Sequence, residues 1–371
     1  MTQIYTGLYD LAREGKISLD VTSRFDDRIK KSRRNSVLCV QVTDSGSNRM
    51  RTVCFDMFDG REITSRERLE LCDVYFKRSY DDHYVGELDA RQRGKMFPYG
   101  LNFECRTRNE RDILKRLFIF HLANNTAARN PVRFLKHVVT ELLAHLCLRL
   151  GFRASRFVPM SSGDFVVRPE EPAEPRVLFQ TRLWTPEECR RISEDRLGEH
   201  NQMRVDTVRA LGKRFGQNFA GGLVPTDLTR QRYPDLCLSD EESQRSHYLR
   251  MVRKCLVCVT TAGLLDSTGF KFPEYLAASR CIVAEPPSYR LPVPVLEGTH
   301  YLSFRTAEQC ADACERLLAD PQLADRMRRA NYSYYLNEVE PAVLIYKRLT
   351  AALSVPQAAS SSTSTGWTPA T

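Results

Sequence analysis

Residues 260–286 read TTAGLLDSTGFKFPEYLAASRCIVAEP, and this stretch decides the fold. It opens at the end of an apolar run, CLVCVTT (255–261), and Gly263 and Gly269 bracket the loop that follows. Lys271, Pro273 and Glu274 come next, then a second apolar run, RCIVAEP (280–286). Pro273 suits the first turn of a helix, where its missing N–H costs nothing. Ala277, Ala278 and Ser279 are small enough for that helix to lie close on a sheet. Strand, loop, helix and strand in this order make one unit of a parallel α/β sheet. In open sheets of that kind, ligands sit beyond the carboxyl ends of the strands. The N–H groups and partial positive charge of a helix start suit a diphosphate, and Lys271 adds a point charge. Glu274 is placed to accept from a pair of sugar or ribose hydroxyls. The loop reads as a phosphate cradle, although glycine loops before helices are common and a solvated Lys271 fits the same sequence.

The alternation extends both ways. Downstream of a proline-, serine- and acid-rich stretch (159–175), the sequence predicts strands RVLFQTRLW (176–184) and NFAGGLV (218–224). Helices are expected near 186–197, 201–215, 241–254 and 272–279, and a helical segment over 306–353. Upstream, a helix ends at Gly15, and strands are expected at KISLDV (16–21), 36–42, 52–58, 73–79 and 95–104. Helical patterns follow over 108–122 and 131–150. The fold class expected is therefore α/β, with two Rossmann-like doubly wound domains facing a cleft and a C-terminal helical segment. The boundaries are 1–158 for the first domain, 159–175 for a linker, 176–353 for the second, and 354–371 for a disordered, low-complexity tail.

Composition bounds the function. With 371 residues, 42% hydrophobic and 27% charged, the chain has the make-up of a soluble globular protein and a net charge of +9. That charge suits anionic company: phosphorylated small molecules, an anionic membrane surface or nucleic acid. The basic cluster RIKKSRRNS (28–36) reads as a solvated connector, with membrane attachment or nucleic acid as rival readings. No aromatic–basic motif supports nucleic acid, which is not an expected partner. The start of the chain lacks a signal-peptide layout, and the helix over 131–151 carries Arg133, Lys136, Glu141 and Arg149. That reads as an amphipathic helix on a core and not a membrane span. Twelve scattered cysteines imply reduced thiols in a cytoplasmic protein, and neither Cys255/Cys258 nor Cys310/Cys314 completes a metal site. A P-loop and a G-x-G-x-x-G dinucleotide fingerprint are both absent, which argues against the matching ATPases and dehydrogenases.

GFKFPEYLAASRCIVAEP (269–286) resembles the donor-site segment of GT-B-fold glycosyltransferases of the bacterial group 1 type. VLFQTRLW (177–184) is similar to the strand opening their donor domain, and GTHYLSFRTAEQCADACERLLADPQLADRMRRANYSYY (298–335) to their C-terminal ending. The resemblance covers roughly 176–353 and is weaker over 1–158. It implies an EC 2.4 glycosyltransferase that moves a sugar from a nucleoside-diphosphate sugar to a glycan or lipid-linked acceptor, as in polysaccharide biosynthesis. Neither cofactor nor metal is expected, and the enzyme would be cytoplasmic or peripheral at the inner face of the membrane. The donor residues implied are Arg182, Arg204, Thr261, Gly263, Ser267, Gly269, Lys271 and Glu274. Arg182 and Lys271 would neutralise the leaving diphosphate, and Thr261 and Ser267 would donate hydroxyls. Asp56 and Asp59, ending the strand TVCFDMFDG, are the candidate bases of an inverting reaction, each with a turn-capping role as the rival reading; His83 is a weaker candidate. The family often carries two glutamates as Glu-x7-Glu, and Glu274 matches the second. Thr268 or a neighbour stands where the first should be, which leaves a catalytically inactive nucleotide-sugar-binding or interaction protein as the alternative.

Overall fold

The computed structural model describes residues 1–21, 36–117, 131–151 and 160–356. Most of the basic cluster (28–35), His121 and the tail from 357 lie outside the described residues. Four strands form a first sheet: β1 (Val37–Thr43), β2 (Met50–Asp56), β3 (Val74–Lys77) and β4 (Met96–Pro98), in that order. β1 runs antiparallel to β2, while β2, β3 and β4 are parallel. This sheet is simpler than the expected doubly wound unit, because its strand order follows the chain without a reversal. KISLDV forms no strand; Ile17 and Leu19 pack against the first core instead. Cys39 and Cys54 face each other across β1 and β2 and are joined by a disulfide. The expectation of reduced thiols throughout fails at this pair, because their spacing in sequence hides that they meet on one ladder.

The second sheet is wholly parallel. β5 (Glu174–Thr181), β6 (Phe219–Leu223), β7 (Cys255–Thr260), β8 (Cys281–Ala284) and β9 (Leu302–Ser303) stand in the order β6-β5-β7-β8-β9. Successive residues of a strand point to opposite faces, and here both faces are apolar. Val177, Phe179, Val257, Val259 and Val283 pack under helices Glu194–Phe215 and Ala307–Ala319. Leu178, Cys258 and Ile282 pack on the opposite side with Val252, Phe272, Tyr275 and Leu276. A sheet covered on both faces explains why its strands read as unbroken hydrophobic runs. The two helices expected over 186–215 are one: the chain turns through 186–192, and the helix begins after Ser193, whose hydroxyl accepts from the Arg196 N–H.

Two segments lie elsewhere than expected. Residues 160–175 bury Met160, Phe165 and Val167 in the second core and form helix Ser162–Phe165, so they are more than a connector. The last helix, Pro341–Ser354, leaves the second unit and packs on the first sheet. Its Leu344, Ile345 and Leu349 meet Ile4 and Leu8 of helix Thr2–Arg13 and Val53 and Phe55 of β2. Gly7 makes that crossing possible, because an added Cβ would run into the Pro341 carbonyl and lie 2.6 Å from Ile345 Cγ1. No described helix is long and apolar enough to cross a membrane.

Candidate functional site

The strand order of the second sheet reverses between β5 and β7, since the chain runs from β5 outward to β6 and returns to β7. At such a switch point the loops diverge and leave a crevice beyond the strand ends. Arg204, on helix Glu194–Phe215, spans it. Its Nε donates to Thr261 Oγ1 (3.2 Å), Nη1 to the Arg182 carbonyl (2.8 Å) and Nη2 to the Ala262 carbonyl (3.0 Å). Burial lowers its pKa to about 10, with Glu285 opposing the shift, so it stays charged at neutral pH. Glu285 directly follows β8 and accepts from the Ala262 N–H at 2.8 Å. Arg204 was expected to reach a phosphate; the structure spends its donors on holding two strand ends together.

The helix after the loop, Lys271–Ala277, shows the same inward turn. Lys271 Nζ donates to the Gln180 carbonyl of β5 and lies 5.4 Å from the centre of the Tyr248 ring. Burial lowers its pKa from 10.5 to about 8. The unfolded chain therefore holds that proton more tightly, and the unliganded protein gains stability as pH rises from about 8 towards 10.5. Glu274 is 0% exposed and accepts from Arg245 and from the Tyr248 hydroxyl (2.7 Å). Both its oxygens are occupied, so the role expected for it, binding hydroxyls directly, is not available in this arrangement. It anchors the helix. Its partners Arg245 and Tyr248 sit on helix Arg245–Lys254, nearly thirty residues upstream, and nothing in the local sequence announces them.

The loop itself is tightly folded. The Gly263 N–H donates to the Ser267 carbonyl (2.7 Å), and the Ser267 hydroxyl to the Leu264 carbonyl (2.9 Å). Leu265 and Asp266 both have φ near +58°. A left-handed conformation costs a side-chain-bearing residue about 1–2 kcal/mol, and such strain gathers at ligand-binding loops. Two outside contacts hold it: Tyr289 donates to the Leu265 carbonyl at 2.6 Å, and Arg196 pairs with Asp266. Gly269 lies where the loop meets the helix, and the Arg182 side chain is 41% exposed. Its guanidinium lies over the Trp184 ring (4.3 Å) and pairs with Glu188.

The carboxyl ends of β2 and β3 face this loop. Arg78, just beyond β3, pairs with Asp59 and donates to the Thr268 carbonyl at 3.0 Å, joining the two units. Two small crevices lie nearby, and both include Thr268. One lies between the ends of β7 and β8, lined by Thr260, Thr261, Ser267, Gly269 and Glu285. The other lies between the units, lined by Arg78, Asn102 and Tyr289 among others. Asp59 reaches this region half-exposed, whereas Asp56 does not. Asp56 is 0% exposed and accepts from Thr64 N–H and hydroxyl (both 2.9 Å), Phe58 N–H (3.0 Å) and Tyr75 hydroxyl (2.7 Å), with Lys77 Nζ at 3.6 Å. Asp56 is thus corrected from candidate base to fixed post of the β2 turn. Asp56→Asn is expected to lower stability by about 2 kcal/mol in chemical denaturation, since an amide cannot accept all of these bonds. His83, the weaker base candidate, is exposed and pairs with Glu87.

No protein-family profile and no curated protein matches the sequence. Among solved structures the chain is similar to the C-terminal domain of a glycosyl transferase group 1 family protein (LpcC) from Francisella tularensis. That match has 10% identity, a TM-score of 0.34, and covers 48% of this chain and 96% of the other. It is similar also to a glycosyltransferase from Rickettsia africae ESF-5, with 12% identity, a TM-score of 0.40, and coverage of 78% and 64%. A third is Alr3699/HepE of Anabaena in complex with UDP, with 9% identity, a TM-score of 0.37, and coverage of 75% and 91%. The first two are named as glycosyltransferases. Likeness at this level identifies neither a ligand nor a reaction.

Proposed function

We propose that the chain is a glycosyltransferase that binds a nucleoside-diphosphate sugar where β5 and β7 diverge and passes its glycosyl group to an acceptor held against the first unit. One observation carries this reading. At the switch point two cations, Arg204 (buried) and Lys271 (half-buried), form no direct bond to a carboxylate among the described residues, and their pKa values are lowered to about 10 and about 8. Other nearby cations are matched, Arg182 with Glu188, Arg196 with Asp266 and Arg245 with Glu274. Burying charge without a direct ion pair is costly; Glu285 and Glu274 offset part of that cost from nearby, and a diphosphate would relieve the rest. Catalysis would then consist of positioning and of neutralising the departing diphosphate, with Lys271 and Arg182 supplying the charge and no divalent metal called for. Asp59 is the base left to an inverting reaction. The acceptor would be a glycan or lipid-linked sugar.

The test is thermal stabilisation by a panel of nucleoside diphosphates and their sugars. A ligand at a hundred times its Kd adds about 2.7 kcal/mol. Stabilisation is expected for at least one member and is expected to vanish in Lys271→Met. Binding should also weaken above about pH 8, roughly tenfold per pH unit, as the unliganded Lys271 loses its proton. A folded protein indifferent to the whole panel sinks the proposal. Enclosure of Asp56 and Glu274 favours a second reading, a binding protein without turnover. Stabilisation with neither transfer nor hydrolysis of the donor would select it.

A further inference from the structure

Helix Pro131–Arg149 reads in sequence as an amphipathic helix on a core, yet it is apolar on two faces. Ala144, His145 and Leu148 point inward and are buried. Val132, Leu135, Val139, Leu143, Leu146 and Leu150 point outward, each between 44% and 76% exposed. Their steps of 3, 4, 4, 3 and 4 residues follow an eleven-residue period, which keeps a stripe nearly straight along a helix. Leu114, 62% exposed, lies on the adjoining segment, which Arg116 ties to the helix through Glu141 (3.9 Å). Together these are more than half of the large apolar side chains exposed among the described residues. An apolar concentration of this kind marks an interaction surface.

Charge selects the partner. Around the stripe Arg111, Lys115, Lys136 and Arg149 are exposed. Of the neighbouring acids Glu110 is buried on Arg116, and Glu141, on Arg106, and Asp112 are half-buried. An exposed acid, Asp20, lies 3.7 Å from Lys115. A second copy would set basic rims against each other. An anionic bilayer accepts both features, with aliphatic side chains among the acyl chains and cations at the headgroups. We propose that this face of the helix lies in the plane of an anionic membrane surface. The inference does not rest on glycosyl transfer, and its test reads no sugar chemistry.

That test is flotation of the full chain with phosphatidylcholine vesicles, with and without phosphatidylglycerol. The chain is expected to float with the anionic vesicles at least roughly tenfold better than with neutral ones. Leu135→Glu/Leu143→Glu changes exposed positions only, so it should keep the melting temperature while losing flotation by roughly tenfold or more. Lys136→Glu/Arg149→Glu should lose the preference for anionic lipid. The proposal is overturned if the folded chain ignores both vesicle types, or if the Leu135→Glu/Leu143→Glu variant floats as well as the parent. A dimer in sedimentation that dissociates on that double substitution would assign the stripe to a second copy instead.

Discussion

Glu274→Ala is expected to cost about 1–3 kcal/mol of stability, the range for leaving a buried polar partner unpaired, since Arg245 is itself 42% exposed and its charge stays hydrated. The carboxylate is fully enclosed, and its loss strands the Tyr248 hydroxyl inside the core and leaves Arg245 facing a hole. Chemical denaturation gives the number. A companion variant separates charge from packing. Arg245→Met/Glu274→Met removes both charges and fills the space, and should recover most of the loss, because the enclosed carboxylate no longer has to be desolvated. If Glu274→Ala melts like the parent, the side chain is not enclosed as described, and a direct role toward a ligand becomes open again.

Gly7→Ala should cost about 3 kcal/mol. Helix propensity alone predicts the opposite sign, a gain of about 1 kcal/mol for alanine over glycine inside a helix. Packing decides. The new methyl group would occupy the place of the Pro341 carbonyl and press on Ile345, and neither can withdraw without moving a whole helix. Gly198→Ala is the control: it lies on helix Glu194–Phe215 with nothing near its Cβ position, and there the propensity gain should appear. A stabilised Gly7→Ala would mean that the first and last helices do not cross where they are placed.

Much of the second unit was legible because its evidence is local. Val257, Cys258 and Val259, then Ile282 and Val283, announce enclosed strands, and Pro273 marks the first turn of a helix between them. The ends of β5 and β7 could likewise be read, and with them the neighbourhood of Arg182 and Thr261. What each polar side chain does there was not legible. Whether Glu274 meets a ligand or Arg245 depends on where helix Arg245–Lys254 docks, and the same holds for Asp56 with Thr64 and Tyr75. Arg78 was overlooked although it directly follows a strand, the position that such sheets use for binding. The double apolar character of helix Pro131–Arg149 was visible as letters, but its hydrophobic pattern does not say which face is covered. The same limit hid the destination of Pro341–Ser354, since an amphipathic helix fits either sheet equally well.

That last crossing has a mechanical meaning. The chain has joined the second body by residue 160 and comes back to the first near 340, where a π-helical turn, Tyr335–Val339, precedes Pro341. Two crossings of backbone therefore tie the halves together, and Arg78 with the Thr268 carbonyl and Arg290 with Asp82 fasten them again at a distance in sequence. Cutting the chain at 159–175, the boundary suggested by composition, would strip the first half of helix Pro341–Ser354, so that half cannot be lifted out intact there.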